Sequence, residues 1–108
     1  MTHIVTALIA AAGLAFATGS LAADPKEAEE LAKKNACMAC HAIDKKLIGP
    51  GFKEVAAKYK GQADAAVVLS DKVKKGGMGV WGQMPMPPNG NLGDADIKTL
   101  VEWILATE

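Results

Sequence analysis

From Asp24 onward, apolar positions recur at helical spacing in four stretches. Ala28, Leu31 and Ala32 make a narrow face of small residues, the pattern of a helix that approaches another closely. Asp24 suits the N-cap, Pro25 the first helical position, and Glu27 completes a capping-box-like start. This helix is expected to run directly into Cys37. Phe52, Val55, Ala56 and Tyr59 fall at i, i+3, i+4 and i+7 and predict a second helix, Phe52 to Lys60, stopped by Gly61. A third is expected from a cap at Asp64 to Lys75, carrying Val68, Leu69 and Val73 and ended by Gly76-Gly77. The last begins at Asp94. Its stripe of Ile97, Leu100, Val101 and Ile104, with Trp103 and Leu105 beside it, should pack across the first helix. No stretch sustains the period-2 alternation of a strand. The pattern predicts an all-α chain without a sheet.

The N-terminus follows a different pattern. Ile4 to Ala17 is apolar almost throughout, and small residues follow it to Ala23. This is the apolar core and cleavage region of a secretory signal peptide, although no Lys or Arg precedes it. Ser20 and Ala22 satisfy the small-x-small rule, so residues 1–22 are expected to be cleaved and residues 23–108 to form one domain. The apolar run is shorter than the roughly 20 residues a spanning helix needs. An exported chain of this kind is expected in the periplasm, without stable membrane association.

Charge narrows the function classes. The chain has 12 basic and 12 acidic residues and a formal net charge of zero. All the basic residues are Lys, and all the charged side chains follow residue 22. A nucleic-acid surface needs a basic excess that is missing here. The short segment after residue 22 also has little apolar mass, with one Phe, one Tyr and two Trp. Domains of this size commonly need a staple.

The pentapeptide Cys37-Met38-Ala39-Cys40-His41 holds both cysteines of the chain and its one histidine beyond the leader. Cys-x-x-Cys-His is the spacing of c-type haem attachment: two thioethers hold the ring, and the adjacent imidazole becomes an axial ligand. Three other readings compete. A structural zinc site needs about four protein ligands, one more than Cys37, Cys40 and His41 supply. A thioredoxin-like pair belongs in a βαβ pattern, which is missing. A plain disulfide leaves His41 unexplained. One covalently bound haem c would also provide the staple the domain needs.

Ile48-Gly49-Pro50-Gly51 predicts a turn after the histidine. A metal-bound His donates its second ring N–H to a carbonyl or carboxylate, and the loop carbonyls near Gly49-Pro50 are the natural acceptors. Residues 76–93 form a long Gly- and Pro-rich stretch, and such loops are usually functional. It holds Met78, Met84 and Met86 as candidates for the opposite axial position. Met78 sits among glycines. Met84 and Met86 remain, and the frame of Pro85 and Pro87 favours Met86 because proline restricts both itself and the residue before it.

The pentapeptide, Ile48-Gly49-Pro50, and the run from Val80 through Trp81, Met84, Pro85, Met86, Pro87 and Pro88 to Asn89 keep the order and spacing of a known family. The chain resembles the small bacterial class I cytochromes c, the short-chain periplasmic monohaem type that feeds terminal oxidases and nitrite reductases. The resemblance implies the cytochrome c fold, with helices wrapped around one covalent haem. It implies that Met86 ligates iron opposite His41, that Trp81 hydrogen-bonds a haem propionate, that Pro50 offers its carbonyl to His41, and that Asn89 approaches the ligand sulfur. Met84 stands where the family usually has an aliphatic residue. The implied function is one-electron transfer by a monomer, not enzymatic turnover. Partners would be larger redox proteins met transiently: a cytochrome-linked reductase or oxidase, and a membrane quinol-oxidising complex. A rim of Met38, Gly77, Met78, Met84 and Pro87 would surround the exposed haem edge, with Lys33, Lys45, Lys46, Lys74 and Lys75 steering acidic partners. The competing functions are a haem sensor or peroxidase-like enzyme with a displaceable methionine, and a haem-free thiol–disulfide protein.

Overall fold

The structure, a computed structural model, describes residues 23–108. The leader assigned to residues 1–22 lies outside the described residues. Four α-helices follow in order: α1 (Pro25–Lys34), α2 (Phe52–Tyr59), α3 (Ala65–Lys75) and α4 (Asp94–Leu105). A short 3₁₀ turn, Cys37–Ala39, lies between α1 and α2. Among the described residues there is no strand; two isolated backbone bridges, His41 with Lys46 and Gly77 with Met86, pin loops.

The organising helix is α4, against which α1, α2 and α3 all pack. Its Ile97, Leu100 and Val101 are at most 2% exposed, as the stripe in the sequence requires. Ala28 and Ala32 of α1 are fully buried. Having no side chain beyond Cβ, they let the two backbones come close. Ala65, Leu69 and Val73 of α3 and Phe52, Val55, Ala56 and Tyr59 of α2 complete the buried set with Leu92. The third helix's Val68 is only partly buried.

Helix boundaries differ from the expected ones in instructive ways. Asp24 caps α1, its carboxylate accepting the Lys26 N–H at 2.9 Å. However, α1 ends at Lys34 and does not run into Cys37. Asn35 stops it: both the backbone N–H (3.1 Å) and the side-chain amide (2.8 Å) donate to the Leu31 carbonyl. Ala36 then turns left-handed at φ +59°. Asp64 precedes α3 but does not cap it with its side chain, since its carboxylate accepts from the Gln62 amide at 2.8 Å. Asp94 opens α4 and is drawn instead to Lys74 at the end of α3, 2.8 Å away. That ammonium holds the Asp94 carboxyl below its ordinary range.

Ala36 is the one non-glycine with positive φ among the described residues. An L-residue there costs about 1–2 kcal/mol, part of which glycine returns as extra freedom in the unfolded chain. Ala36→Gly should therefore stabilise the protein by about 0.5–1 kcal/mol, raising the melting temperature by about 2–8 °C. Thermal and denaturant unfolding check this; an unchanged or lowered midpoint contradicts it.

Candidate functional site

The turn after α1 delivers the pentapeptide. The Ala39 N–H donates to the Ala36 carbonyl, and the Cys40 and His41 N–H groups both donate to the Cys37 carbonyl, at 3.2 and 2.9 Å. This tight winding brings Cys37, Cys40 and His41 to one wall of a single cleft. Both thiols are free and partly buried. Burial pushes the Cys37 thiol above its ordinary value; a hydrogen bond at its own backbone opposes the rise and nearby Cys40 adds to it. Among the described residues, no three His, Cys, Asp or Glu side chains gather as a metal site.

The imidazole of His41 is held from three sides. Its Nδ1 lies 2.7 Å from the Pro50 carbonyl oxygen. A carbonyl only accepts, so Nδ1 carries the proton and Nε2 keeps its lone pair for a metal. Phe52 stacks on the ring, with centroids 5.1 Å apart and planes 23° apart. Trp103 of α4 meets Phe52 edge-on at 5.4 Å. Gly49 lies against the ring, where an added Cβ would come within 2.7 Å of His41 Cε1.

Gly49-Pro50-Gly51 was expected to be glycine-rich for the sake of a turn. Neither glycine has positive φ. Space is the reason for both: Gly49 faces the imidazole, and a Cβ on Gly51 would meet the Lys45 backbone at 2.9 Å. The Gly49 N–H donates to the Cys40 carbonyl at 2.8 Å and ties the loop to the pentapeptide.

Most of the stretch from Gly77 to Pro87 also lines the cleft. In Pro85-Met86-Pro87-Pro88, only Met86 has a backbone N–H. It donates to the Gly77 carbonyl at 2.8 Å, and the Gly77 N–H answers to the Met86 carbonyl at 3.1 Å. Gly76 makes the approach possible: its φ is +71°, and a Cβ there would collide with the Met86 carbonyl. Met86 is partly buried against the core, whereas Met84 is 67% and Met78 62% exposed. All three line the cleft.

Asn89 secures this loop from behind. Its backbone N–H and its side-chain amide both donate to the Val73 carbonyl at 3.1 Å, with a longer contact to the Pro87 carbonyl. These bonds satisfy a carbonyl in the last turn of α3. They also place Asn89 outside the residues lining the cleft. Trp81 lines it, 38% exposed, near Lys58. Met38, expected on the rim, instead packs against the core, while Gly77 and Pro87 do line the opening. Three residues had no functional reading in the sequence: Phe52 and Trp103, which support the imidazole, and Lys72, a cation lining the cleft. Only the fold joins Phe52 to Trp103 and brings Lys72 to the cleft.

The cleft encloses about 1230 Å³ of atom-free space, open solvent at its mouth included, and is lined mostly by apolar side chains. An apolar lining suits a large flat organic ring better than a lone ion. Two thiols, an imidazole with a free Nε2 and a thioether match the donor set for a covalently held haem.

Gly49→Ala should push the imidazole off the Pro50 carbonyl. The expected loss is about 1–3 kcal/mol in denaturant unfolding, with faster solvent exchange of the His41 Nδ1 proton seen by NMR. A fully stable variant with an unaltered Nδ1 signal would contradict the packing argument.

The Cytochrome c family model matches residues 25–108. Cytochrome c-551 of Azotobacter vinelandii is 60% identical over 77 residues, covering 71% of this chain and 93% of that protein. Cytochrome c-551 of Pseudomonas aeruginosa is 48% identical over 96 residues, covering 89% and 88%. The crystal structure of wild-type Nitrosomonas europaea cytochrome c552 superposes with a TM-score of 0.71 at 54% identity, covering 74% of this chain and 99% of that one. The match spans the whole helical domain, the relatives agree in sequence and fold, and the cleft has the right donors: the chain belongs to the cytochrome c family, as a small monohaem class I cytochrome c that carries covalently bound haem c and transfers electrons.

Proposed function

We propose that this protein is a periplasmic one-electron carrier, not an enzyme, with His41 and Met86 as the two axial ligands of its haem. The observation that carries the reading is that His41 and Met86, far apart in the chain, line one cleft, each held by a separate hydrogen-bonded frame. When bound, the haem supplies an iron that takes up and gives back one electron; His/Met ligation raises its potential. Cys37 and Cys40 are the covalent anchors. Pro50 orients His41 by accepting its Nδ1–H. The Gly77 bridge holds Met86 in place, and Asn89 holds the bridge to α3, a supporting role one step removed from the sulfur. Trp81, with its indole N–H, and Lys72 are the cleft groups suited to meet the carboxylates at the edge of the ring. With both axial positions filled from the chain, no site remains for a substrate.

Export through the leader at residues 1–22 supports the periplasmic placement. Partners would be larger redox proteins, a cytochrome-linked reductase or oxidase and a membrane quinol-oxidising complex, bound briefly to a monomer. Of the five lysines expected to steer them, three already have partners: Lys33 with Glu29, Lys74 with Asp94 and Lys75 with Asp71, all within 3.1 Å. Lys45 and Lys46 carry no ion pair among the described residues, so steering falls mainly to them.

Spectra test the ligand set. Met86→Ala should abolish the methionine-to-ferric-iron band and leave high-spin iron, while Met84→Ala should keep the wild-type spectrum. The reverse result would move the ligand to Met84. Rapid, tight carbon monoxide binding to the reduced wild type at neutral pH would favour the sensor or peroxidase reading.

Transfer rates test the steering. Replacing Lys45 and Lys46 by Gln should slow low-salt electron transfer to an acidic partner by about two- to tenfold and flatten its salt dependence. The pair Lys74→Gln and Lys75→Gln should do less. Rates independent of ionic strength in the wild type would sink the steering idea.

A further inference from the structure

The segment from Gly79 to Gly82 is a tight turn: the Gly79 N–H donates to the Gly82 carbonyl at 2.7 Å. Both glycines have positive φ, +97° and +119°, and a Cβ on either would meet nothing within 4 Å. Both glycines therefore face open space, and they leave the backbone of the turn pliant. At its tip, Trp81 lines the haem cleft while 38% exposed. A cleft-lining indole on a pliant turn needs something to hold it.

The contact that ties this tip to a helix is Lys58. It lies in the last turn of α2, and its Nζ sits 5.4 Å from the centre of the Trp81 ring, within the range of a cation–π interaction. We propose that Lys58 is a positioning residue for the electron-transfer site. Its ammonium rests on the indole face, fixes the 79–82 turn against α2, and holds Trp81 in the cleft wall. This builds on the electron-carrier reading, because it assigns Trp81 a place beside the haem. Lys58 is not among the residues lining the cleft, so it acts through the ring it holds. Its positive charge near the cleft mouth also opposes further positive charge inside, which favours the reduced protein.

Hydrogen exchange on the reduced holoprotein tests the proposal, using the Gly79 amide and the Trp81 indole N–H as reporters. Lys58→Gln should speed exchange at both by about two- to fivefold, and the reduction potential should fall. Lys58→Arg, which keeps a cation able to sit on an indole, should restore both. Lys53→Gln, the same charge change on an exposed position of α2, should leave the two exchange rates at wild-type values. The proposal is overturned if Lys58→Gln exchanges like wild type, if Lys53→Gln matches it, or if Lys58→Arg fails to rescue. The exchange rates report on the turn whichever methionine ligates the iron. A failed ligand assignment would appear in the Met86→Ala spectrum and is thus separable from failure of this contact.

Discussion

The hydrogen bond from His41 Nδ1 to the Pro50 carbonyl is the constraint on which the rest of the structure turns. At 2.7 Å it fixes the tautomer, and with it the nitrogen that faces the cleft. It needs an imidazole in one orientation, which Phe52 enforces by stacking and Gly49 permits by having no Cβ. Phe52 in turn leans on Trp103 of α4, the helix against which the other three pack. The buried core therefore reaches the His41 imidazole through two aromatic contacts. A small domain gains from this economy, because the apolar residues that stabilise the fold also aim its ligand.

The methionine loop is held by a different kind of bond. No side chain gates Met86; its backbone does, through paired hydrogen bonds to Gly77. The three prolines around it have no N–H to compete, so the register cannot slide by a residue without losing the pair. Asn89 then fastens the loop to the end of α3. A thioether is a weak ligand, and a backbone already in place lowers the entropy that binding must overcome. Two loops, each tied by its own hydrogen bonds, leave little of the cleft to rearrange, which suits electron transfer.

The helices were legible because each buries one face, and period 3.6 records that face directly in Ile97, Leu100 and Val101. The cofactor was legible because Cys37, Cys40 and His41 must be adjacent to reach one ring. What stayed hidden depends on distance through space. Nothing in the chain's order links Phe52 to Trp103, or Lys58 to Trp81. The break after Lys34 was missed because an alanine carries the left-handed turn where glycine would have announced it. Gly49 and Gly51 mark a turn in the sequence, yet their job is to make room. A resemblance pointed to Asn89 but not to its bonds, since one amide donating to a carbonyl sixteen residues back leaves no periodic trace.

Surface charge completes the picture of a carrier. The lysines are numerous, and three near helix ends are engaged: Lys33 and Lys75 pair along their own helices, and Lys74 bridges α3 to α4. Exposed pairs of this kind add little stability, and they also mute the field that a distant partner feels. Against that muted background, Lys45 and Lys46 stand out on the loop that also carries the Pro50 acceptor. Apolar Met78 and Met84 stand exposed at the cleft. A few unpaired charges speed encounter, and a small apolar contact lets the partner leave quickly. Turnover between two larger redox proteins requires both.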